Sequence, residues 1–189
     1  MTLRVLWAAG YVEQPWKNGG GVTREIALGP TGAGLANFDW RVSLADVSEF
    51  GPFSTFPGVD RTLTVLDGQL RLAFGEAAPI TLTSGSPPLT FPADVVCHGF
   101  PVDGRALDLN VMVRRARYQA HVERLEGGDW RPAGRIALLV ALGPVELAGD
   151  VGEWRLGRHD AIFSAAAHSA GALSVRGPSV TITLTALAA

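Results

Sequence analysis

The feature that most constrains this chain is an apolar period of two residues, cut every ten residues or so by glycine or proline. Arg61-Thr62-Leu63-Thr64-Val65-Leu66, Gln69-Leu70-Arg71-Leu72-Ala73-Phe74, Asp108-Leu109-Asn110-Val111-Met112-Val113 and Thr181-Ile182-Thr183-Leu184-Thr185 all alternate and are enriched in β-branched residues. Successive side chains on a strand point to opposite faces, so these runs read as strands with one buried face. With 23 glycines and 12 prolines as punctuation, the spacing is that of a sandwich or barrel, not of alternating strands and helices. The reading is an all-β chain, and no long helical stripe competes with it.

The order of runs also repeats. Arg61 to Met112 reads as strand, Asp67-Gly68 turn, strand, Pro/Gly-rich loop, Phe91-Pro92-Ala93-Asp94 and a final strand. Arg135 to Leu184 follows the same order through Ala137-Leu138-Leu139-Val140, Gly143-Pro144, Val145-Glu146-Leu147 and His159-Asp160-Ala161-Ile162-Phe163. We read residues 1–189 as a tandem of two small barrels, with halves at about 1–117 and 118–189 and a seam near Arg114 to Glu126.

Composition excludes several classes. The formal net charge of −2 supplies no basic field for nucleic acid. No window holds the charge-free apolar run that a membrane helix needs, and the stretch before Glu13 is too short for a secretory signal, so a cytoplasmic protein is expected. Cys97 is the lone cysteine, so neither an internal disulfide nor a cysteine zinc cluster can form, and Cys97 itself reads as a small buried apolar residue. The histidines, His98, His121, His159 and His168, lack the closely spaced pair with a nearby glutamate that metal-binding cupins present. No metal or other cofactor is expected. No GxSxG-type nucleophile signature is present either.

Alternation also sorts the polar residues. Leu109 and Val111 take one face of their strand, leaving Asp108, Asn110 and Met112 on the other. Trp40, Val42 and Leu44 likewise oppose Arg41, Ser43 and Ala45. A mixture of acid, amide, hydroxyl and guanidinium suits a polar barrel interior better than the interchangeable Thr/Arg/Gln of a solvated face. Lys17, the one lysine among sixteen basic residues, precedes Asn18-Gly19-Gly20-Gly21, whose glycines permit close backbone approach or an anion-cupping turn. Thr23 and Glu25 share one face of the next strand and Arg24 the other, so only one of these sets faces inward. The loop Phe50 to Arg61, stiffened by Pro52 and Pro57, offers Ser54, Phe56 and Arg61 as a rim.

Four segments together carry a family resemblance: Pro15-Trp16-Lys17-Asn18-Gly19-Gly20-Gly21-Val22-Thr23-Arg24-Glu25-Ile26, Trp40-Arg41-Val42-Ser43-Leu44-Ala45-Asp46-Val47, Gly51-Pro52-Phe53-Ser54 through Phe56-Pro57-Gly58-Val59-Asp60-Arg61, and Asp108-Leu109-Asn110-Val111-Met112. In type and order they resemble the HutD/Ves family. The resemblance implies a metal-free bicupin, two tandem cupin-like β-barrels of the double-stranded β-helix kind. It implies association with histidine utilisation for the HutD branch, where sensing of an intermediate such as urocanate has been proposed, and with stress responses for the Ves branch.

The expected site comprises Lys17, Asn18, Gly20, Thr23, Arg24, Glu25, Trp40, Arg41, Ser43, Ser54, Phe56, Arg61, Asp108, Asn110 and Met112. The first reading is a binding or regulatory module for a small carboxylate such as urocanate or formate. The alternative is a metal-independent isomerase or hydrolase using Lys17, Glu25 or Asp108 as acid or base. A third is a structural partner protein that uses the second half as an interface, with a homodimer as one possible form.

Overall fold

The computed structural model describes residues 3–16, 19–165 and 171–188. Its strands in chain order are β1 (Leu3–Leu6), β2 (Val12–Pro15), β3 (Gly21–Gly29), β4 (Trp40–Val47), β5 (Gly51–Pro52), β6 (Val59–Phe74), β7 (Ile80–Thr83), β8 (Leu89–Pro92) and β9 (Cys97–Arg114). The series continues with β10 (Tyr118–Trp130), β11 (Ile136–Ala141), β12 (Val145–Gly149), β13 (Gly152–Leu156), β14 (Ala161–Ala165) and β15 (Leu173–Ala186). A single 3-10 turn, Ala8–Gly10, is the one helical element among the described residues. None of the described helices is long and apolar enough to cross a membrane. The all-β architecture read from the alternation is therefore the architecture observed.

The chain divides into two compact units, Val12–Arg117 and a second made of Met1–Tyr11 with Tyr118–Ala189. The N-terminal segment, grouped by sequence order with the first half, thus belongs to the second unit. There β1 pairs antiparallel with β14, Leu3 opposite Ser164 and Val5 opposite Ile162, a long-range match that no local pattern reveals.

The first unit holds one sheet in the order β2-β3-β4-β9-β6-β7, with β5 on β9 and β8 on β6. One point of β6 reads as a turn in the sequence. Asp67-Gly68 does not end a strand; β6 runs through it as a bulge, with register shifts against β9 on either side. Gly68 has a φ of 71°, and a Cβ there would lie 2.4 Å from the Arg105 carbonyl oxygen, so only glycine fits. Strand parity switches across this bulge. Leu63 and Val65 before it and Leu70 and Leu72 after it reach the same core cluster.

The antiparallel register stacks the inner face into rows. Arg41, Met112 and Arg61 form one row; Ser43, Asn110 and Leu63 the next; Ala45, Asp108 and Val65 the third. On the other side of β4, β3 places Glu25 opposite Ser43 and Thr23 opposite Ala45, and β2 places Gln14 opposite Thr23. At the end of β9, Arg115 ties Asp60 (2.7 Å) and Asp94 (3.2 Å), and Arg117 ties Asp39 (2.8 Å).

The second unit holds a sheet in the order β1-β14-β11-β15-β12-β13, with β10 on β15. Its core is Trp130, Leu139, Leu147, Ile162, Leu173, Val175 and their neighbours, packed without charge. Among the described residues, every buried charged side chain (Arg41, Arg61 and Asp108) lies in the first unit.

Candidate functional site: a charged cavity in the first unit

The inner rows of the first unit enclose a cavity of about 430 Å³. Arg41, Ser43 and Ala45 of β4, Asn110 and Met112 of β9, Arg61 of β6, Thr23 of β3 and Gln14 and Pro15 of β2 line it, with Trp16. Pro52 of β5 and Leu35, Phe53, Ser54 and Phe56 of the connecting loops complete it. Its size suits a small organic ligand.

Arg61 is its most unusual member, 6% exposed among three aromatic rings. Its guanidinium carbon sits 5.1 Å from the centroid of Phe53 and 6.0 Å from those of Phe56 and Phe91. Its Nη2 donates to the Ser54 carbonyl oxygen at 3.0 Å, but its buried Nε has no hydrogen-bond partner among the described residues. Burial pushes its pKa down to about 10, the neighbouring Asp108 pulling the other way, so the group stays cationic at neutral pH. Cation–π contacts in a desolvated site contribute about 1–2 kcal/mol and replace part of the lost hydration.

Arg41 is held differently. Its Nε donates to Glu25 Oε2 at 3.0 Å, a pair with both partners largely buried, which aims the guanidinium from β4. Behind Asn110 stands Asp108, with no exposed surface. Asn110 Nδ2 donates to Asp108 Oδ1, leaving Asp108 Oδ2 and Asn110 Oδ1 buried without partners. Burial raises the Asp108 carboxyl to about 7, against the opposing pull of Arg61 and the Asn110 hydrogen bond. Among the described residues, the cavity at neutral pH therefore holds one neutralised cation, Arg41, and one only partly neutralised cation, Arg61.

Thr23, Arg41, Ser43, Ser54, Phe56, Arg61, Asn110 and Met112 line the cavity as the sequence suggests. Glu25 and Asp108 stand behind the wall, acting on Arg41 and Arg61. Three expected residues do not meet the cavity. Arg24 pairs with Leu44 on the opposite face of the sheet, because it is Thr23 and Glu25 whose parity matches Ser43 and Ala45. Trp40 lies on that opposite face too, its ring against Gly29. Gly20 serves the backbone, its carbonyl accepting from Ser48 at 3.1 Å and Glu49 at 3.3 Å. Lys17 and Asn18 lie outside the described residues.

The glycine run has its Gly19 N–H already engaged, donating to the Trp16 carbonyl oxygen at 3.0 Å. Its service is close approach, since a Cβ on Gly21 would lie 2.4 Å from the Asp46 carbonyl oxygen and 3.1 Å from the Trp16 ring. Trp16, thus seated, donates from Nε1 to Thr23 Oγ1 at 2.8 Å and meets Phe53 edge-on at 6.1 Å. Sequence reading did not select Gln14 or Leu35; only cross-strand register identifies the first, and only loop folding the second.

Among the described residues no group of three or more His, Cys, Asp or Glu side chains is placed to hold a metal ion. Cys97 is buried beneath the aromatic cluster, and burial pushes its thiol up to about 11.

A curled all-β fold with a charged cavity inside one unit defines a cupin-like protein with a small-molecule-sized pocket. The chain belongs to the HutD family, whose model matches residues 8–182. It is 35% identical over 165 residues, 85% of each chain, to an uncharacterised 21.2 kDa protein of the hutC 3' region of Pseudomonas putida. Protein Ves of Citrobacter koseri is 39% identical over 108 residues, 57% of this chain and 56% of that one. Among solved structures, HutD from Pseudomonas fluorescens SBW25, in a formate condition, superposes with a TM-score of 0.87 at 30% identity over 99% of this chain and all of that one. Ylba of Escherichia coli, at 12% identity and a TM-score of 0.66, shares the fold alone.

Proposed function

We propose that this HutD-family protein is a binding and sensing module that takes a small carboxylate, such as urocanate or formate, into the Arg41/Arg61 cavity as part of histidine catabolism. The observation that carries the reading is Arg61: a buried cation at a cavity wall whose Nε has no hydrogen-bond partner among the described residues. A buried donor without an acceptor is costly, and a ligand carboxylate supplies the acceptor and the charge together. Two charge-assisted contacts contribute roughly 3–6 kcal/mol before ordering costs, which suits micromolar-to-millimolar sensing. Membership in a family associated with histidine utilisation, and the hutC-adjacent relative, direct the choice of ligands.

The test is calorimetric titration with formate, urocanate, imidazolepropionate and formiminoglutamate, beside thermal unfolding. Saturable heat and a raised melting temperature with at least one of them is the expected result. Silence from all four, with an unshifted melting curve, would contradict the reading.

The raised carboxyl of Asp108 favours a second reading, a metal-independent enzyme in which that group acts as acid or base near neutral pH. It ranks lower because Asp108 has no exposed surface from which to reach a substrate. Turnover of a pathway intermediate that disappears in Asp108→Asn would establish it, and binding without turnover would remove it.

A further inference from the structure

We infer that the cavity binds its anion together with a proton, which Asp108 takes up on Oδ2 as the anion settles against Arg61. This rests on the anion-binding reading above and adds the stoichiometry of that event.

Geometry supplies the argument. Among the described residues, the charged and titratable groups facing this region are Arg41 from β4, Glu25 from β3, Arg61 from β6, and Cys97 and Asp108 from β9. Glu25 already neutralises Arg41 across 3.0 Å, and the Cys97 thiol is neutral at physiological pH. Among the described residues, Arg61 is thus the one cavity cation with no carboxylate hydrogen-bonded to it, facing both Asp108 and an incoming anion. With both ionised, the buried cluster would carry two negative charges around that guanidinium. Burying an uncompensated charge is far more costly than protonating one of the two carboxylates.

Asp108 is the group placed to accept. Its Oδ1 is occupied by Asn110 Nδ2, while its Oδ2 is buried without a partner, so a proton added there breaks no existing hydrogen bond. Its carboxyl already titrates near pH 7 in the empty cavity, so the added anion need only complete a change that is half made. The balance is simple: one anion and one proton leave solvent, Asp108 passes from carboxylate to carboxylic acid, and no bond within the ligand changes. Below about pH 6, where Asp108 is already protonated, the anion binds alone.

The probe is formate, whose own carboxyl stays ionised throughout the working range, so any proton taken up belongs to the protein. Formate is titrated calorimetrically into the whole protein in Tris and in HEPES near pH 8, and again near pH 5.5 in two buffers of unequal ionisation heat. The expected uptake approaches one proton per formate near pH 8 and zero near pH 5.5. The dissociation constant rises about tenfold per pH unit above 7. Asp108→Asn takes up no proton and loses that pH dependence. Should the variant not fold, the ¹³C resonance of the wild-type Asp108 carboxyl, followed near pH 8, must move toward the protonated position as formate is added. Formate binding without uptake, uptake that survives in Asp108→Asn, or an unmoved carboxyl resonance overturns this inference and leaves the anion-binding reading standing. Failure of formate to bind at every pH overturns this inference and contradicts formate as a ligand, while urocanate and the other carboxylates test the broader reading separately.

Discussion

In the Val12–Arg117 unit the inner rows carry Arg41, Arg61, Asp108 and Asn110 around an open cavity, whereas in the other unit Trp130, Leu139, Leu147, Ile162 and Val175 fill the core with hydrocarbon. Both interiors come from antiparallel strands with the same two-residue period. The difference lies in what occupies the inward positions. Apolar side chains there contribute stability directly, while buried charges cost desolvation and need partners. The first unit retains three such charges where aliphatic residues would pack, and two of its buried polar atoms on Asp108 and Asn110 stay unpaired. A core that only had to fold gains nothing from buried charges and unpaired polar atoms, and the proposed anion site accounts for both.

This contrast can be broken at several points. The largest effect is expected in the second unit: Leu139→Ala, at a fully buried position, should lower unfolding free energy by about 2–5 kcal/mol in a urea titration. Formate affinity per folded molecule should not change. Loss of binding in a protein that remains folded would mean the division of labour is wrong.

A pH effect follows, specific to the first unit. The folded Asp108 carboxyl titrates near 7, well above an unfolded aspartate near 4. Between those values the folded state holds more protons than the unfolded one, so stability falls as pH rises through that window and levels off above it. Asp108→Asn should remove this contribution, at most about 4 kcal/mol, from urea unfolding measured at a series of pH values. An unchanged slope would show that Asp108 is not the buried acid described.

The face assignment comes next in size. Arg41→Met should weaken formate binding about tenfold to a hundredfold, the range of one charge-assisted hydrogen bond, while Arg24→Met should alter it less than about twofold. Equal losses would mean that β3 turns its Arg24 face, and not only its Thr23/Glu25 face, to the ligand. Smallest is Trp16→Phe, which deletes the donor to Thr23 Oγ1 and should cost about 1 kcal/mol of stability, seen as a shifted urea midpoint.

Where a strand has one apolar and one polar face, sequence suffices. Arg41 and Ser43, and likewise Asn110 and Met112, were placed by the aliphatic residues between them, and all four line the cavity. On β3 both faces carry polar residues, so parity alone could not choose between Arg24 and the Thr23/Glu25 pair; pairing with β4 does. Asp67-Gly68 carries the same local signature whether the chain turns back or bulges, because both use a glycine at positive φ. Only the continuous partner β9 decides. The passage of β1 to the second unit and the arrival of Leu35 at the cavity are long-range events with no local trace.

The most direct test of the central claim is to watch the buried guanidinium itself. In an arginine side-chain ¹⁵N–¹H correlation spectrum, the Arg61 Nε–H resonance should shift saturably as formate is added, with Arg41 following and Arg24 unmoved. An Arg61 resonance that stays in place while formate binds elsewhere would contradict the account.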